Sequence, residues 1–262
     1  MLNKFKNIIY EKRSDGVAII TINRPHRLNA MDPDSGREMW EARRDFALDP
    51  KMRVLILTGA GEKAFSTGLD LKAAAERART LGTVDPGVGQ PPSLAPVKDW
   101  KPTIAAINGY AVAAGLETAL RCDIRIAADH AQFAMMEAKR GLVPETGCTY
   151  LPKVVGFGNA MYMLLTGDLI NAQEALRWGL VTKVVPLKDL MPTALSIAQS
   201  IAANAPLAVE YIKQSLTMRR EAPLEQSQQF AELITRVIWA TEDVKEGSRA
   251  FAEGRPPVFK GR

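Results

Sequence analysis

The chain has 262 residues, of which 47% are hydrophobic and 24% charged, and its formal net charge is +5. This is the composition of an ordinary globular protein, and the length allows one large domain or one domain with a helical extension. The basic residues form no continuous stripe, which argues against nucleic acid as a partner. The mild positive charge suits a small polyanionic ligand, or it is a slight surface excess of Lys and Arg.

Metal and disulfide chemistry is not indicated. Cys122 and Cys148 lie in no CxxC or His-rich context, so we expect neither a metal site nor a disulfide framework. With His26 and His130 as the two histidines, a His-based triad is not indicated either. The N-terminus shows no cleavable signal and no apolar stretch could cross a bilayer. We therefore expect a cytoplasmic protein without membrane contact, or a matrix protein if a transit peptide was removed.

The first third of the chain alternates strand-like and helix-like patterns. Two predicted strands, Ile8–Glu11 and Val17–Thr21, are joined by a Ser-Asp-Gly turn, which is typical of a hairpin. A helix is predicted over Pro33–Leu48, with Asp32 as its cap. The short apolar run Val54–Thr58 is typical of a buried strand.

The remainder begins with a Gly- and Pro-rich stretch, residues 80–96, too long for a plain connection. Two further strands are predicted at Thr103–Ile107 and Cys122–Ala127, with a small-residue turn and a short helix between them. The pattern then becomes helical over Asn159–Leu165, Ala172–Trp178, Asp189–Asn204, Leu207–Met218 and Leu224–Ala240. Strand–helix alternation followed by helices indicates an α/β protein with a helical C-terminal section.

Two segments place small residues between a strand and a helix start. They are Phe65–Leu71 and Asn108–Glu117. Small residues let a ligand approach backbone N–H groups, and a helix N-terminus favours negative charge. Two such segments facing each other could stabilise an oxygen that becomes anionic during a reaction. The alternative is that both are simply sites of close helix–strand packing.

Three glutamates follow closely, Glu117, Glu137 and Glu145. The first two lie in apolar surroundings, Glu117 at the start of the predicted short helix. A carboxylate there tends towards a raised pKa and can exchange protons near neutrality. The alternatives are helix capping, or surface ion pairs with Lys139 or Arg140.

At these positions the sequence resembles the crotonase (enoyl-CoA hydratase/isomerase) superfamily, from about the first strand to the C-terminus. The similar segments are Asn23-Arg24-Pro25 with Leu28-Asn29-Ala30, Lys63 to Leu71, Lys101 to Glu117, Cys122 to Ala127 with Ala131-Gln132-Phe133, and Leu165 to Val181. The resemblance implies the crotonase (ClpP/crotonase-like) fold of stacked ββα units. It implies a core over residues 1–200 that carries the CoA and active sites, and a helical region over residues 201–262 used in trimerisation.

The resemblance also implies the catalytic groups. The backbone N–H groups of Leu69 and Ala114 correspond to the oxyanion hole of the family, and Glu117 and Glu137 to the two glutamates of its hydratases. Leu69 replaces a commoner alanine, which would reshape the acyl pocket. Ala113 and Ala114 stand where glycines are common, a change that is tolerable if the backbone there keeps a negative φ.

Coenzyme A is implied as part of the substrate, with no separate cofactor. The positions that match the CoA site are Arg24, Leu28, Lys63, Ala64, Ser66, Gly68, Leu69, Asp70, Leu71, Gly109, Ala114 and Lys260. The family usually forms trimers or dimers of trimers. Ile238, Trp239 and Phe251 would supply an apolar assembly surface, or they pack on the protein's own core.

The implied reaction is hydration of a 2-enoyl-CoA. Glu145 stands where hydratases have glycine and where dienoyl-CoA isomerases have an acid, so a double-bond isomerase is the alternative enzyme; equally, Glu145 caps the following helix. A catalytically idle CoA-binding or RNA-binding member of the fold is a third possibility. Residues 80–96, with Trp100 and Tyr150, are expected to shape the acyl pocket.

Overall fold

The computed structural model of the protein describes residues 5–82 and 100–262. In these ranges the strands are β1 Ile8–Lys12, β2 Val17–Ile22, β3 Val54–Gly59, β4 Ala64–Ser66, β5 Thr103–Ile107, β6 Tyr110–Val112, β7 Ile124–Ala128, β8 Gln132–Ala134, β9 Ile170–Asn171 and β10 Lys183–Val185. The helices are α1 Pro33–Leu48, α2 Leu71–Leu81, α3 Ala114–Leu120, α4 Glu145–Val155, α5 Phe157–Thr166, α6 Ala172–Arg177, α7 Leu187–Ala202, α8 Pro206–Glu221, α9 Leu224–Trp239 and α10 Glu242–Glu253.

The strands form two sheets. The larger has the order β1-β2-β3-β5-β7-β10, and the smaller has the order β4-β6-β8-β9. The hairpin β1–β2 is antiparallel, as the sequence predicted, and the other pairs of the larger sheet are parallel. In the smaller sheet β8 pairs antiparallel with β9, and the other pairs are parallel. The successive pairs β3–β4, β5–β6 and β7–β8 each send their first strand to the larger sheet and their second to the smaller one, whereas β1 and β2 both lie in the larger sheet.

Both faces of the larger sheet are covered. All six residues of β3 are buried, which explains its continuous apolar run. On one face, Leu190, Ala194 and Ala198 of α7 pack against the sheet at helical spacing of four residues. On the other face lies the larger core, to which Phe46 of α1 and Leu116 of α3 contribute.

The predicted strands and long helices are confirmed, with shifts of a few residues at their ends. Asp32 caps α1 in a reciprocal arrangement with Ser35. Helix α3 begins at Ala114, three residues before the start that the sequence had suggested, and Glu117 lies in its first turn. The sequence analysis gave no bounds for α2, α4, α10 and β10, nor for the strands of the smaller sheet, which have only two or three residues and are too short to show a periodic pattern.

Three further expectations concern segment limits and membrane contact. Of the Gly- and Pro-rich stretch, residues 80 and 81 end α2, while residues 83–96 lie outside the described residues. The predicted domain boundary at residue 200 falls inside α7, which ends at Ala202, and the division itself stays a prediction. Among the described helices, none combines the length and the apolar character that crossing a membrane requires.

Candidate active site

The first of the two small-residue segments connects β4 to α2. Met31 holds this segment on both sides of Leu69: the Met31 N–H donates to Gly68 O at 2.7 Å, and Met31 O accepts from the Asp70 N–H at 2.9 Å. The Leu69 N–H lies between these two bonds and donates no hydrogen bond within the described residues. The segment therefore presents one fixed N–H group without an acceptor.

The second segment connects β6 to α3 and presents another such group. The Ala113 N–H donates to Ala134 O at 2.9 Å, and Ala113 O accepts from the Glu117 N–H at 3.0 Å. Ala114 is the first residue of α3, and the first N–H groups of a helix have no partner inside it. In the described parts of the chain, the Ala114 N–H donates no hydrogen bond.

The two segments lie directly against each other. A Cβ atom added to Gly68 would lie 3.0 Å from Ala114 N, and one added to Gly115 would lie 2.1 Å from Ser66 O. Glycine is thus required at both positions for the backbones to approach this closely. Two N–H groups without acceptors within the described residues therefore lie in adjacent segments. Two such groups directed at one oxygen would stabilise a developing oxyanion.

The backbone of Ala113 corrects an expectation from the sequence. Its φ is 52° and its ψ is −129°, so the alanine does not keep the negative φ that we had assumed. This region is unfavourable for any residue with a Cβ atom, and such residues persist only where surrounding contacts hold them. Here the hydrogen bonds to Ala134 and Glu117 hold the residue from both sides.

Glu117 is buried at the same site. Its carboxylate Oε1 accepts a hydrogen bond of 2.9 Å from the backbone N–H of Gly147, in the first turn of α4. The hydrogen-bond donor to Glu117 is therefore a backbone N–H group 30 residues away in the sequence. Sequence reasoning had singled out this segment for Glu145 and missed Gly147, for which no motif gives a signal.

Glu137 follows β8 and is partly buried. Its Oε2 atom is buried and has no hydrogen-bond partner within the described residues. Burial is the largest cause that raises the pKa of Glu137 above its ordinary value, and the charge of Glu117 raises it further, against the opposing effects of its own backbone N–H and of Arg140. A carboxyl group with a raised pKa keeps its proton to a higher pH than an ordinary glutamate and can therefore donate it in a reaction.

Glu145 lies differently. It is the first residue of α4 and exposed, and its carboxylate forms no capping hydrogen bond with that helix. The expectation that Glu145 caps α4 by a hydrogen bond is therefore wrong. Its negative charge in the first turn still stabilises the helix through the helix dipole. Glu145 lines a cavity with Trp100 and Tyr150, the residues expected at the acyl pocket.

Most of the positions matched to a CoA site occur in the same two segments. Arg24 lies outside these segments and has a structural role. It is buried and forms ion pairs with Asp70 at 3.2 Å and Asp32 at 2.9 Å. Its guanidinium also donates to Ala30 O, so it ties this region together. Lys260 lies elsewhere, where its backbone N–H donates to Asp243 of α10.

The remaining matched positions divide into buried and exposed groups. Ala64, Ser66 and Gly109 are buried at the contact between the segments, and the backbone of Gly109 lies against Lys63 O. Lys63 itself is exposed, as are Leu28 and Leu71, with 39% and 44% of their surfaces accessible. These exposed side chains are the ones available to a ligand.

The chain matches the family model for enoyl-CoA hydratase/isomerase over residues 12–262. It is 45% identical over 249 residues to (E)-benzylidenesuccinyl-CoA hydratase from Thauera aromatica, covering 95% of this chain and 97% of that protein. It is 41% identical over 256 residues to carnitinyl-CoA dehydratase from Escherichia coli strain K12, covering 95% and 97% of the two chains.

Solved structures show the same likeness. Enoyl-CoA hydratase from Mycobacterium tuberculosis H37Rv superposes with a TM-score of 0.88 at 35% identity, covering 98% of this chain and 99% of that one. Enoyl-CoA hydratase from Bacillus anthracis superposes with a TM-score of 0.87 at 34% identity, covering 98% and 100%. The predicted crotonase fold is thereby confirmed over nearly the full described length.

Proposed function

The chain belongs to the enoyl-CoA hydratase/isomerase family, and from this membership we propose that it adds water across the 2,3 double bond of an enoyl-CoA thioester. An acyl-CoA enzyme of the hydratase type agrees with the relatives named above. The observation that best supports the specific reaction is the meeting of two N–H groups, of Leu69 and Ala114, with the glutamates Glu117 and Glu137.

In the proposed reaction the thioester oxygen accepts hydrogen bonds from the N–H groups of Leu69 and Ala114. Glu117, oriented by Gly147, removes a proton from water as the water oxygen bonds to Cβ. The electron pair of the double bond moves to the thioester oxygen as an enolate, which the two N–H groups stabilise. Glu137 then donates its proton to Cα, and the product is a 3-hydroxyacyl-CoA.

The raised pKa of Glu137 supports its assignment as the donor, because a carboxyl group that holds its proton more tightly is available as an acid at higher pH. The split of roles between the two glutamates belongs to the proposal, since neighbouring carboxylates that share a water titrate together. Coenzyme A enters this scheme as part of the substrate, and no other cofactor is required by it.

A double-bond isomerase is the second candidate, and the observation in its favour is the carboxylate of Glu145 at the cavity rim, which does not cap its helix. The family description covers both reactions. In an isomerase, Glu145 would take part in a second proton shift. The two candidates differ in product mass, because hydration adds one water and isomerisation adds nothing.

Glu145→Gly separates the two candidate reactions. Because Glu145 is exposed and does not cap α4, its loss should cost little stability beyond the lower helix propensity of glycine, about 1 kcal/mol or less at a helix end. A hydratase should keep its rate within a few-fold, and an isomerase should lose its activity. Product analysis by mass, for wild type and variant side by side, distinguishes these outcomes.

The decisive experiment is turnover of a panel of enoyl-CoA thioesters, with products identified by mass. We expect a product heavier by one water, and a loss of about two to four orders of magnitude in rate in both Glu117→Gln and Glu137→Gln. The matched control is Glu41→Gln, the same chemical change at an exposed residue of α1. A product of unchanged mass would favour the isomerase, and equal losses in all three variants would contradict the assigned roles.

We further infer a homotrimer or a dimer of trimers. Large apolar side chains on the C-terminal helices support this: Trp239 is 69% exposed, Phe251 90% and Leu233 62%. Exposed apolar area of this kind marks an interaction surface. Analytical ultracentrifugation would test the inference, and a monomer at micromolar concentration would contradict it.

A further inference from the structure

The first turn of α4 is held by another helix and not by a cap of its own. Pro144, the residue before α4, offers no side-chain acceptor to the N–H groups that the first turn leaves without partners. Later in the helix, Leu151 and Val155 are buried in the larger core and fix its position there. The first turn, in contrast, receives two side-chain hydrogen bonds from α3.

These two bonds join adjacent residues of α4 to residues of α3 that are one helical turn apart. Glu117 accepts a hydrogen bond of 2.9 Å from the Gly147 N–H, and Nη2 of Arg121 donates one of 2.7 Å to Oγ1 of Thr146. Arg121 directly follows α3 and keeps helical backbone angles, so it lies on the same face as Glu117, roughly 6 Å further along the axis. One of the two bonds therefore contains the carboxylate of the proposed base, and the other lies next to it.

The bond between Arg121 and Thr146 is well placed to hold the first turn. Thr146 is 3% exposed and Arg121 is partly buried. A hydrogen bond with a charged donor is stronger than one between neutral groups, and reduced contact with water strengthens it further. Within the described residues, Arg121 forms no ion pair that would draw its guanidinium away from Thr146.

Two other roles for Arg121 have to be separated from this one. A basic residue at the end of a helix stabilises the helix dipole, and Arg121 stands at the end of α3. Arg121 also lines a cavity, where its charge could contact a ligand. Neither of these roles needs the Thr146 hydroxyl, so a substitution of Thr146 distinguishes them from a role that depends on the bond.

We propose that Arg121 is a positioning residue for the reaction. Its hydrogen bond to Thr146 holds the first turn of α4 at the place where the Gly147 N–H orients the Glu117 carboxylate. Without this bond, the first turn is free to shift, and the Gly147 N–H no longer fixes the carboxylate in one direction. The inference rests on the proposed hydratase function and adds to it a residue that acts through Glu117.

Steady-state kinetics with an enoyl-CoA thioester test both ends of the bond. We expect Arg121→Met and Thr146→Val each to lower kcat at least about fivefold, with KM unchanged within about twofold. Arg121→Lys keeps a donor and Thr146→Ser keeps an acceptor, so each should recover part of the lost rate. The matched control is Thr149→Val, an exposed threonine of α4 whose hydroxyl donates to the backbone of its own helix.

The double variant Arg121→Met/Thr146→Val shows whether the two side chains act as one unit. If Arg121 acts through Thr146, the double variant should lose no more rate than the more affected single variant, whereas independent effects multiply. A raised KM in Arg121→Met beside normal kinetics in Thr146→Val would make Arg121 a ligand-binding residue and overturn the proposal. A loss of stability without any change in kcat would overturn it as well, in favour of the helix-dipole role.

A second measurement follows the Gly147 N–H without using activity. In protein labelled with ¹⁵N at its 19 glycines, the Gly147 amide resonance is the one missing from Gly147→Ala. We expect this resonance to shift, and its hydrogen exchange to become at least about tenfold faster, in Arg121→Met and Thr146→Val but not in Thr149→Val. If Arg121→Met does not fold, as judged by circular dichroism, Thr146→Val removes the same bond from its other end.

The proposed function and the positioning role fail in different ways. A Gly147 resonance that depends on Arg121, in a protein that hydrates no enoyl-CoA, would contradict the hydratase function alone. Hydration with unchanged kcat in both single variants would contradict the positioning role alone. This holds even if the resonance moves, since the bond would then hold the turn without serving the reaction.

Discussion

The backbone N–H of Gly147 donates a hydrogen bond of 2.9 Å to Oε1 of Glu117. A side-chain carboxylate on α3 is thus oriented by the first turn of α4, whose N–H groups carry partial positive charge. This bond leaves the other carboxylate oxygen available for a water or a substrate. It also couples the geometry of the site to the position of α4.

Replacement of Gly147 by alanine tests this coupling. The added Cβ would lie 2.9 Å from Cβ of Pro144, so the first turn of α4 must shift. We expect kcat/KM to fall roughly ten- to hundredfold, in line with a loss of about 1.5–3 kcal/mol for a hydrogen bond to a charged group. The matched control is Gly158→Ala in α5, where nothing lies within 4 Å of the added atom. An unchanged rate in Gly147→Ala would mean that this hydrogen bond is not needed.

Glu137→Gln should make the protein more stable at neutral pH. The pKa of the folded-state carboxyl group is raised, chiefly by burial, so the folded protein binds its proton more tightly than the unfolded chain. Its contribution to stability is therefore fully present below the unfolded pKa and is lost as the pH rises through the folded pKa. Melting curves at pH 4 and pH 7 should show an advantage of the variant at pH 7 that shrinks at pH 4. An advantage of equal size at both pH values would contradict the raised pKa.

The same pKa predicts a feature of the activity. If Glu137 is the proton donor, kcat/KM should decline on the alkaline side as Glu137 loses its proton, at a pH above the usual range of a carboxyl group. The measurement is a pH profile of kcat/KM with a fixed enoyl-CoA. A flat profile from pH 5 to pH 9 would remove Glu137 from the donor role.

Ala113→Gly should stabilise the fold. At φ 52° and ψ −129° the alanine is strained, at a cost of about 1–3 kcal/mol, while glycine adopts this conformation freely. Glycine loses more conformational entropy than alanine on folding, which costs roughly 0.5–1 kcal/mol. When this cost is subtracted from the relieved strain, the free energy of unfolding should rise by about 1 kcal/mol. Urea unfolding measures it. Ala47→Gly, in the helix α1, should instead lose about 1 kcal/mol, and a similar loss at Ala113 would show that the strain is absent.

Arg24→Met should destabilise the protein by about 3 kcal/mol. The substitution leaves the carboxylates of Asp32 and Asp70, with 20% and 10% of their side chains exposed, without their common partner. Denaturant unfolding measures the loss, and Arg37→Met is the control for removing an exposed arginine. If Arg24 also contacts the CoA moiety, KM should rise while kcat changes little. A stable variant with a raised KM would instead make Arg24 a ligand-binding residue and not a structural one.

The longer strands of the larger sheet and most of the long helices could be predicted from the sequence because local patterns carry them. The hairpin turn at residues 14–16, the cap at Asp32 and the apolar run of β3 each depend on neighbours within a few residues. The motif segments likewise indicated the family, and the family model and the solved structures confirm it. In each of these local patterns, the residues that interact lie close together in the sequence.

The tertiary structure decided the contacts between distant segments. The pairing of Glu117 with Gly147, the approach of Gly68 to Ala114, and the ion pairs of Arg24 join residues that no periodicity links. The positive φ of Ala113 is of the same kind, since it is imposed by bonds from β8 and α3 and not by its own preference. The amino-acid sequence by itself determined which groups are available for chemistry; the packing of the two sheets and of α3 against α4 determined which of them meet, because burial and distance are properties of the folded chain.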